Sequence, residues 1–489
     1  MEFMSKLVVL CVVYTIIQCL HTRYRTGLSN IPGPFLASFS NLWKVLSVYR
    51  DEMPQKNIAV HRKYGPVVRI GPNHVSFSTP QALQIIHASR QAYPKSDFYL
   101  LTSPPFEGKP LPNLFSTQDV NYHASLKRLL GGLYTKAATL DLEPNIDRTL
   151  KLFLYKMQEH LEKDELASVD MSLWVHLFAF DCIAELNNSE SFGFLESGTD
   201  VNGMIKRADI ILMDTGLYAQ SPVLQSIRRY RGAIWRPREN PILRHRQNEP
   251  NSSPDMLNGL LRVQEAQPDK FSIRELTAAL YINIMAGNDV LAVTLRAILY
   301  YVARAPRVEH KLVAELSTKT AKYPLSEMIP YSALADLPYL DAVIHESLRI
   351  HGNIGLICER VVPAGGVTID GYKIPPGTVV GVNPWVIHHN ADIFGEDVNV
   401  FRPERWIERT QDCINEMKKN LFSFGAGPRM CIGKNIAMMQ IYKFTAEFYR
   451  RFKAELADPK KDWHVTGNWV TKQREMDMLI RPATPVSKD

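Results

Sequence analysis

The sequence predicts a predominantly helical α+β fold with small β-sheets. Most of residues 119–350 repeats its apolar positions with helical spacing. Runs rich in β-branched residues, broken by Gly, Pro and Asn, predict short strands at 66–78, 358–386 and 464–481. The 489 residues are 45% hydrophobic and 22% charged, which is enough to bury a large core. We therefore expect one large helical body with the sheets at one side.

Three further segments complete the predicted element order. Residues 41–64 have a helical pattern, whereas residues 93–118 are rich in Pro, Ser and Phe, lack periodicity and are predicted to form a long loop. An apolar helix is predicted over residues 272–303.

An N-terminal membrane anchor is predicted in residues 1–25. Residues 7–20 are apolar, and residues 3–20 approach the length of a membrane span. Arg23 and Arg25 follow directly, and cations on that side favour a cytoplasmic position for the rest of the chain. A cleaved signal peptide and a buried helix are the alternatives, but an Ala-x-Ala type cleavage site is missing.

The motif Ile-Pro-Gly-Pro at 31–34 predicts a stiff, extended elbow after this segment. We therefore divide the chain into the anchor, a proline-rich hinge at residues 26–40 and a catalytic domain at residues 41–489.

The charge pattern argues against a nucleic-acid-binding protein. The net charge of +7 is mild for this length, and no block of Arg and Lys interleaved with aromatic residues is present in the sequence. An acidic protein partner or an anionic membrane surface fits this charge better. The six cysteines are sparse and unpatterned, which argues against a disulfide scaffold.

Cys431 is the most informative residue of the chain. Gly427 and Gly433 flank it and allow a tight turn and close approach to a flat molecule, and Arg429 adds a fixed cation beside the sulfur. The residues after Gly433 have helical character, so the sulfur is predicted to lie at a helix N-terminus, where the thiolate form is favoured. The alternative is a Gly-rich turn with a buried cysteine.

The spacing Phe424-x-x-Gly427-x-Arg429-x-Cys431-x-Gly433 resembles the haem-binding signature of the cytochrome P450 family. Glu346-x-x-Arg349 and the segment Phe-Arg-Pro-Glu-Arg405-Trp resemble two further motifs of that family. The resemblance extends over nearly the whole chain. It implies the cytochrome P450 fold and haem b with Cys431 as the axial iron ligand. It also implies a structural triad of Glu346, Arg349 and Arg405 on the proximal side of the haem.

The resemblance also implies residues that bind the haem. They are the cations or potential cations His123, Lys127, Arg360 and Arg429, which would meet the propionates, together with Phe424 of the signature. Lys127 replaces the arginine that is usual at its position, and this change keeps the charge but loses the guanidinium fork.

In the predicted distal helix, Gly287, Asn288 and Asp289 are the candidate catalytic residues. By resemblance, Gly287 leaves room for dioxygen and Asp289 is an acid where protons are consumed, although an ordinary surface acid is the alternative for Asp289. Val290 stands where relatives carry an alcohol, and Thr294, one turn away, is predicted to be too far to replace it. Asn288 acting through water, or a polar group of the substrate, could compensate.

The predicted substrate is a bulky apolar molecule, since by resemblance the pocket draws on large apolar side chains. They are Phe106, Leu114, Phe115, Leu212, Met285, Ile354, Leu356 and Trp469. A role in the core is the alternative for each of them.

The implied function is oxidation of this substrate with dioxygen and electrons from NADPH, delivered by NADPH-cytochrome P450 reductase. Basic residues near the cysteine segment are predicted to form the face that receives the reductase: Lys418, Lys419, Lys434, Lys443, Arg450 and Arg451. The anchor implies a single-pass protein of the endoplasmic reticulum membrane whose catalytic domain faces the cytoplasm. Local phrasing such as Lys-Ser-Asp-Phe-Tyr at 95–99 resembles the fungal pisatin demethylase-like branch, which favours hydroxylation in secondary-metabolite biosynthesis.

Two alternatives remain open. Val290 suggests that the same haem centre performs a coupling, cyclisation or desaturation instead of a hydroxylation. A haem-binding sensor without turnover is the more remote alternative.

Overall fold

The computed structural model describes residues 2–88, 93–103, 105–106, 109–163, 166–232 and 254–483. The helices dominate these residues, and the predicted α+β class is confirmed. In chain order they are α1 (Glu2–Arg25), α2 (Leu42–Tyr49), α3 (Met53–Tyr64), α4 (Pro80–Leu83), α5 (Val120–Leu130), α6 (Lys136–Asp141), α7 (Glu143–Lys163), α8 (Met171–Asn188), α9 (Phe194–Ser197), α10 (Met204–Tyr218), α11 (Pro222–Gly232), α12 (Met256–Ala266), α13 (Ile273–Gly287), α14 (Asp289–Ala303), α15 (Pro306–Lys319), α16 (Tyr331–Leu334), α17 (Pro338–Ile350), α18 (Pro384–His388), α19 (Ala391–Phe394), α20 (Gln411–Asn420) and α21 (Lys434–Arg451).

The strands are short. They are β1 (Val67–Gly71), β2 (His74–Phe77), β3 (Pro105–Phe106), β4 (Lys109–Pro110), β5 (Ala167–Asp170), β6 (Arg360–Val361), β7 (Val367–Ile369), β8 (Tyr372–Ile374), β9 (Val379–Val382), β10 (Phe452–Leu456), β11 (His464–Gly467), β12 (Thr471–Arg474) and β13 (Asp477–Pro482). One sheet has the order β1-β2-β9-β6 with β2 and β9 parallel, and a second has the order β10-β13-β5. The pairs β3-β4, β7-β8 and β11-β12 are separate hairpins.

Several predicted elements appear with small changes. The hairpin expected at 66–78 forms as β1 and β2. The helix expected at 41–64 is divided into α2 and α3, because Asp51 between them has a φ of 56°, outside the helical region. The expected loop at 93–118 contains a short 3-10 helix, Asp97–Thr102, and the hairpin β3-β4.

The helix predicted over 272–303 is present but interrupted. Ser272 caps its start, accepting from the Arg274 N–H, while the Glu275 carboxylate accepts from the Ser272 backbone N–H. At Asn288 (φ −93°, ψ −64°) the helix breaks, and α14 continues from Asp289. Within the described residues, Ile273–Ala303 is long and apolar enough to cross a membrane, but half of its most apolar window is buried inside the protein. It is therefore a core helix of the fold.

The main core lies between the helices around α13 and α14. It joins apolar side chains of α5, α7, α8, α12–α17 and α21 to those of β5, β10 and β13. A second cluster lies under the sheet β1-β2-β9-β6 and includes Trp406 and Phe422. The segment that carries Cys431 begins just after Phe422, a member of this second cluster.

The predicted elbow packs directly on β1. A Cβ atom at Gly33 would lie 2.2 Å from the Arg69 carbonyl oxygen, so this contact requires glycine. The buried Arg69 guanidinium donates to the Arg23 carbonyl, to Thr26 Oγ1 and to the Pro72 carbonyl. These contacts attach the end of α1 and the hinge to the first sheet.

Candidate active site

The loop before Cys431 has a shape that its glycines impose. Gly425 and Gly427 have φ values of 70° and 62°, which residues with a side chain rarely adopt. A Cβ atom at Gly427 would also lie 2.2 Å from the His87 carbonyl oxygen. The Cys431 N–H closes the loop by donating to the Phe424 carbonyl over 2.8 Å. The loop therefore holds Cys431 at one place, directly before α21.

Cys431 lies three residues before the first residue of α21, in the loop that its own backbone N–H closes. Its side chain is accessible, yet it lies deep enough for burial to raise the pKa of the thiol. The Gly433 N–H and the ammonium groups of Lys127 and Lys434 act in the opposite direction. Burial thus outweighs the lowering expected from a helix N-terminus, and ligation of a metal would favour the thiolate form.

The predicted triad forms and is fully buried. The Arg349 guanidinium donates to both carboxylate oxygens of Glu346, over 2.9 and 2.8 Å, and Arg405 Nε donates to Glu346 Oε1 over 2.9 Å. Trp406 Nε1 and the Arg402 N–H donate to the same carboxylate. Although burial raises the pKa of Glu346, the adjacent guanidinium of Arg349 and then that of Arg405 lower it to a net value below the ordinary one.

The triad is connected to the cysteine loop through His388. Arg349 Nη1 donates to the His388 carbonyl over 3.0 Å, and His388 Nε2 accepts from the Phe422 N–H over 2.8 Å. Ser423 Oγ donates to the Leu348 carbonyl of α17 over 2.9 Å. The triad therefore fixes the start of the loop that carries the sulfur.

The four residues predicted to meet the propionates gather in one largely buried region, and Lys95 joins them. Burial lowers the pKa of His123 to about 3, and Arg429, Lys127, Lys95 and Arg360 lower it further. Burial also lowers the pKa of Arg429 to about 10, with Arg360 as the next cause. Arg429 Nη2 is buried without a hydrogen-bond partner among the described residues.

These residues fit haem b. Within the described part of the chain, Arg360, Arg429 and Lys95 donate to backbone carbonyls and form no ion pair, so two propionate carboxylates would give these cations the anionic partners they lack. The described residues contain no group of three or more His, Cys, Asp and Glu that could hold a bare metal ion. A single accessible sulfur beside a cation cluster therefore suits a porphyrin iron better than a bare ion.

Lys127 contacts the cysteine loop, and its contact with a propionate stays a prediction. Its Nζ donates to the Pro428 carbonyl of the cysteine loop over 2.7 Å, and it lies near enough to Cys431 to affect the pKa of the thiol. Phe424 is partly buried against the main core, with Lys434 Nζ 5.7 Å from its ring centre.

The distal candidates lie at the helix break. Asn288 is fully buried, and its Nδ2 donates back to the Ile284 carbonyl over 2.6 Å, while its Oδ1 has no partner among the described residues. A Cβ atom at Gly287 would lie 2.6 Å from Ile183 Cδ1, so glycine here allows α13 to pack closely on α8. The role of Gly287 beside dioxygen stays a prediction.

Asp289 is not a surface acid. Its side chain is 1% exposed, and its Oδ1 accepts from Lys472 Nζ over 2.5 Å and from His176 Nε2 over 2.7 Å. Burial raises the pKa of Asp289, but Lys472 and then His176 outweigh it and hold the pKa well below its ordinary value. Asp289 is therefore a carboxylate held in a buried ion pair.

Thr294 does not replace the alcohol missing at position 290, as the sequence predicted. Thr294 Oγ1 donates to the Val290 carbonyl over 3.0 Å and contacts the Asn353 side chain. Because Thr294 is 2% exposed and already engaged, it serves the packing of α14 against the segment after α17.

Five predicted substrate-pocket residues belong to one aromatic and aliphatic cluster with Phe98 and Tyr99. They are Phe115, Leu212, Ile354, Leu356 and Trp469. The Phe115 and Trp469 rings stack 5.6 Å apart. Leu114 packs against the main core instead, and the side chain of Phe106 lies outside the described residues.

The predicted basic face is smaller than expected. Lys443 is fully buried and contacts Glu143 and Asp147, so its assignment to a surface was wrong. Arg450 and Arg451 are largely buried against Glu447. Of the six predicted cations, those that remain exposed are Lys418, Lys419 and Lys434.

Sequence reasoning missed four residues around the site. Lys95 is 5% exposed, donates to the Phe115 carbonyl and lies 4.0 and 3.9 Å from the Tyr99 and Phe115 ring centres. The other three are His87, His176 and Lys472. No local pattern distinguishes these residues, because their partners come from distant segments.

The comparisons agree with this geometry. The cytochrome P450 family model matches residues 32–480. A cytochrome P450 monooxygenase of Aspergillus terreus is 36% identical, with 87% of this chain and 90% of that protein covered. The cytochrome P450 monooxygenase cicH of Emericella nidulans is 32% identical over 95% of this chain and 96% of the relative. Pisatin demethylase of Fusarium vanettenii is 33% identical over 96% of this chain and 94% of that protein. The chain therefore belongs to the cytochrome P450 family and is an oxidoreductase of the monooxygenase type.

Proposed function

We propose that this protein hydroxylates a bulky apolar small molecule, using haem b bound through Cys431. Family membership implies the haem and its cysteine thiolate ligand. The observation that carries the assignment to this residue is the accessible Cys431 sulfur in a loop fixed by Gly427 and by the buried triad. When bound, the haem supplies activation of dioxygen with electrons delivered one at a time.

The remaining roles belong to the protein. Arg360, Arg429, His123 and Lys127 bind the propionates, with Lys95 as a further cation of the same region. Glu346, Arg349 and Arg405 hold the cysteine loop. Asp289 is the proposed proton-transfer acid of the distal side.

The substrate class follows from the apolar cluster around Trp469. Its rings and aliphatic side chains offer large apolar contact area, and the described members carry few polar groups. Apolar surface of this kind binds a bulky apolar molecule, and the resemblance to the pisatin demethylase-like branch favours a secondary metabolite of a fungus.

A second candidate reaction is a coupling, cyclisation or desaturation at the same haem centre. Val290 favours it, since the hydroxyl that usually assists proton transfer is absent at this position. Labelled dioxygen separates the two reactions: hydroxylation places one labelled oxygen atom in the product. A product formed without label contradicts hydroxylation and favours the second candidate.

We also propose that α1 anchors the protein in the endoplasmic reticulum membrane with residues 41–489 in the cytoplasm. Large apolar side chains on α1 are exposed: Val9, Leu10, Val13, Ile16, Ile17 and Leu20. Phe35 and Leu36 in the hinge, and Leu42 and Tyr49 beyond it, are also exposed and add to this apolar surface. Membrane fractionation of the full chain, and of a chain lacking residues 1–25, tests this assignment: the full chain sediments with membranes, and the shortened chain binds them less.

NADPH-cytochrome P450 reductase is the proposed electron donor. The exposed Lys418, Lys419 and Lys434 near the cysteine loop would attract an acidic flavoprotein. The protein mixed with this reductase should consume NADPH. A haem-loaded protein that consumes none, with and without a metabolite panel, contradicts the proposed turnover and supports the sensor.

The natural substrate can be sought with a deletion strain. Untargeted metabolite comparison with the parent strain should show one compound accumulating and an oxidised derivative missing. No difference under conditions where the gene is expressed contradicts a role in secondary metabolism.

A further inference from the structure

Lys472 on β12 bridges two acids from distant helices. Its Nζ donates to Asp289 Oδ1 at the start of α14, over 2.5 Å, and also to Asp209 Oδ1 on α10. The side chain of Lys472 is 8% exposed, that of Asp289 is 1% exposed and that of Asp209 is 23% exposed, so the bridge lies largely inside the protein. One ammonium group is thus shared between the candidate proton-transfer acid and a second carboxylate.

The hairpin β11-β12 also holds α10 at other points. Arg474 Nη2 lies 3.5 Å from Asp209 Oδ2. A Cβ atom at Gly216 of α10 would lie only 1.7 Å from Asn468 Oδ1 in the hairpin turn, so glycine lets the helix rest on this turn. The next residue, Trp469, belongs to the same apolar cluster as Leu212 of α10. The position of α10 is therefore tied both to the proposed substrate pocket and to Lys472.

The charged groups around Lys472 do not form separate one-to-one ion pairs. His176 and Arg296 face Asp289 from α8 and α14, and Lys472 faces it from β12. Asp209 faces Lys472 and Arg474. Because a single ammonium cannot serve two carboxylates fully, its attraction to Asp209 weakens its hold on Asp289. Asp289 Oδ2 is buried without a hydrogen-bond partner among the described residues, so this oxygen is available to accept a proton.

We propose that Lys472 is a positioning residue. It makes proton transfer by Asp289 depend on whether α10 packs against the hairpin β11-β12. When α10 packs against the hairpin, Asp209 competes with Asp289 for the Lys472 ammonium. The Asp289 carboxylate is then easier to protonate. When α10 moves away from the hairpin, Lys472 pairs with Asp289 alone and suppresses proton transfer. The coupling would favour proton delivery only when α10 covers the pocket. This inference rests on the proposed function, since it assigns Asp289 to the proton path of that reaction.

Two substitutions separate the coupling from a merely structural role. Lys472→Met removes the shared cation, and Asp209→Asn removes the competing acid. Lys461→Met is the matched control, because Lys461 lies next to the same hairpin and pairs with Glu475 over 2.7 Å, with both side chains more than half exposed. Each variant is prepared as the full chain, loaded with haem and mixed with reductase and NADPH without substrate. The fraction of NADPH electrons recovered as hydrogen peroxide is measured against pH, since complete reduction of dioxygen to water consumes more protons.

The two variants are expected to move the pH profile in opposite directions. Lys472→Met raises its midpoint by about 1 to 3 on the pH scale, because an opposite charge at this distance lowers the pKa of a carboxyl by that amount. Asp209→Asn lowers the midpoint, because Lys472 then serves Asp289 alone. Both variants should bind imidazole faster than the wild type, by about tenfold, since each removes a charge-assisted hydrogen bond between α10 and the hairpin. Lys461→Met should change neither quantity.

The outcomes distinguish the two proposals. A wild-type protein that binds no haem or consumes no NADPH contradicts the proposed function, and the inference with it. An active wild type whose two variants shift the midpoint in the same direction, or not at all, contradicts the coupling alone. If Lys472→Met fails to bind haem, Asp209→Asn and the charge-conserving Lys472→Arg complete the test: the inference requires a lowered midpoint in the first and a midpoint near the wild type in the second.

Discussion

Glu346 accepts five hydrogen bonds, from Arg349, Arg405, Trp406 and the Arg402 backbone, in a region without solvent access. Glu346→Gln keeps the size of the side chain but removes its charge. One carboxylate oxygen becomes an amide group that donates, and it faces groups that also donate. The guanidinium groups of Arg349 and Arg405 are 0% exposed and lose their shared counter-charge.

The expected loss is about 3–5 kcal/mol of unfolding free energy, the cost of removing one partner of a buried ion pair. Arg349 keeps three carbonyl acceptors and Arg405 keeps Asp397, so the protein should still fold. Glu408→Gln is the matched control. It removes a pair with Arg402 whose Glu408 side chain is 60% exposed, and it should cost roughly 0–1 kcal/mol.

Urea titration of the haem-loaded proteins, followed by tryptophan fluorescence, measures this difference. Haem loss during the titration gives a second readout, because the triad also fixes Phe422 at the start of the cysteine loop through His388. Equal unfolding free energies for Glu346→Gln and the control, with equal haem retention, would refute the structural role of the triad.

Three further predictions follow from the site. Val290→Thr supplies the missing hydroxyl and should lower the fraction of NADPH electrons lost as hydrogen peroxide; an unchanged fraction contradicts our account of that position. Arg429→Met should speed haem transfer to apomyoglobin by about 10- to 100-fold, the value of a charged hydrogen bond, whereas the exposed Arg128→Met should not; equal rates contradict the propionate assignment. Glu346 has a lowered pKa in the folded state, so its contribution is present above the unfolded value of about 4.3 and is lost as the pH falls through the folded value. The melting temperature should therefore drop below about pH 4 in the wild type and less steeply in Glu346→Gln; parallel curves contradict this linkage.

Much of the fold could be predicted because helices and strands repeat their apolar residues with different periods. The helix around Asn288 and the hairpin at 66–78 both appear where these periods place them. The break at Asp51 could not be predicted, since a positive φ at an aspartate leaves no apolar pattern. The strands β5 and β10 were missed for a related reason: each has only four or five residues, too few to establish a period.

The residues of the candidate site that belong to sequence motifs could be predicted. The residues that only tertiary contacts bring to the site could not. Glu346 and Arg405 are 59 residues apart, and only the family motifs bring them together in advance. Lys443 was misplaced because proximity in sequence was taken for proximity on a surface. It lies nine residues after Lys434 on α21, about half a turn around the helix, and therefore faces the core. Lys472 had no local signal, because its partners lie on α10 and α14.

The central claim is that the Cys431 sulfur ligates a haem iron as a thiolate. The direct measurement is the absorbance spectrum of the reduced, haem-loaded protein under carbon monoxide, recorded for the wild type and for Cys431→Ser. We expect the wild type to show the long-wavelength Soret band that is diagnostic of thiolate ligation, and the variant to lack it. A wild-type protein that is intact and contains haem but lacks this band would contradict the claim.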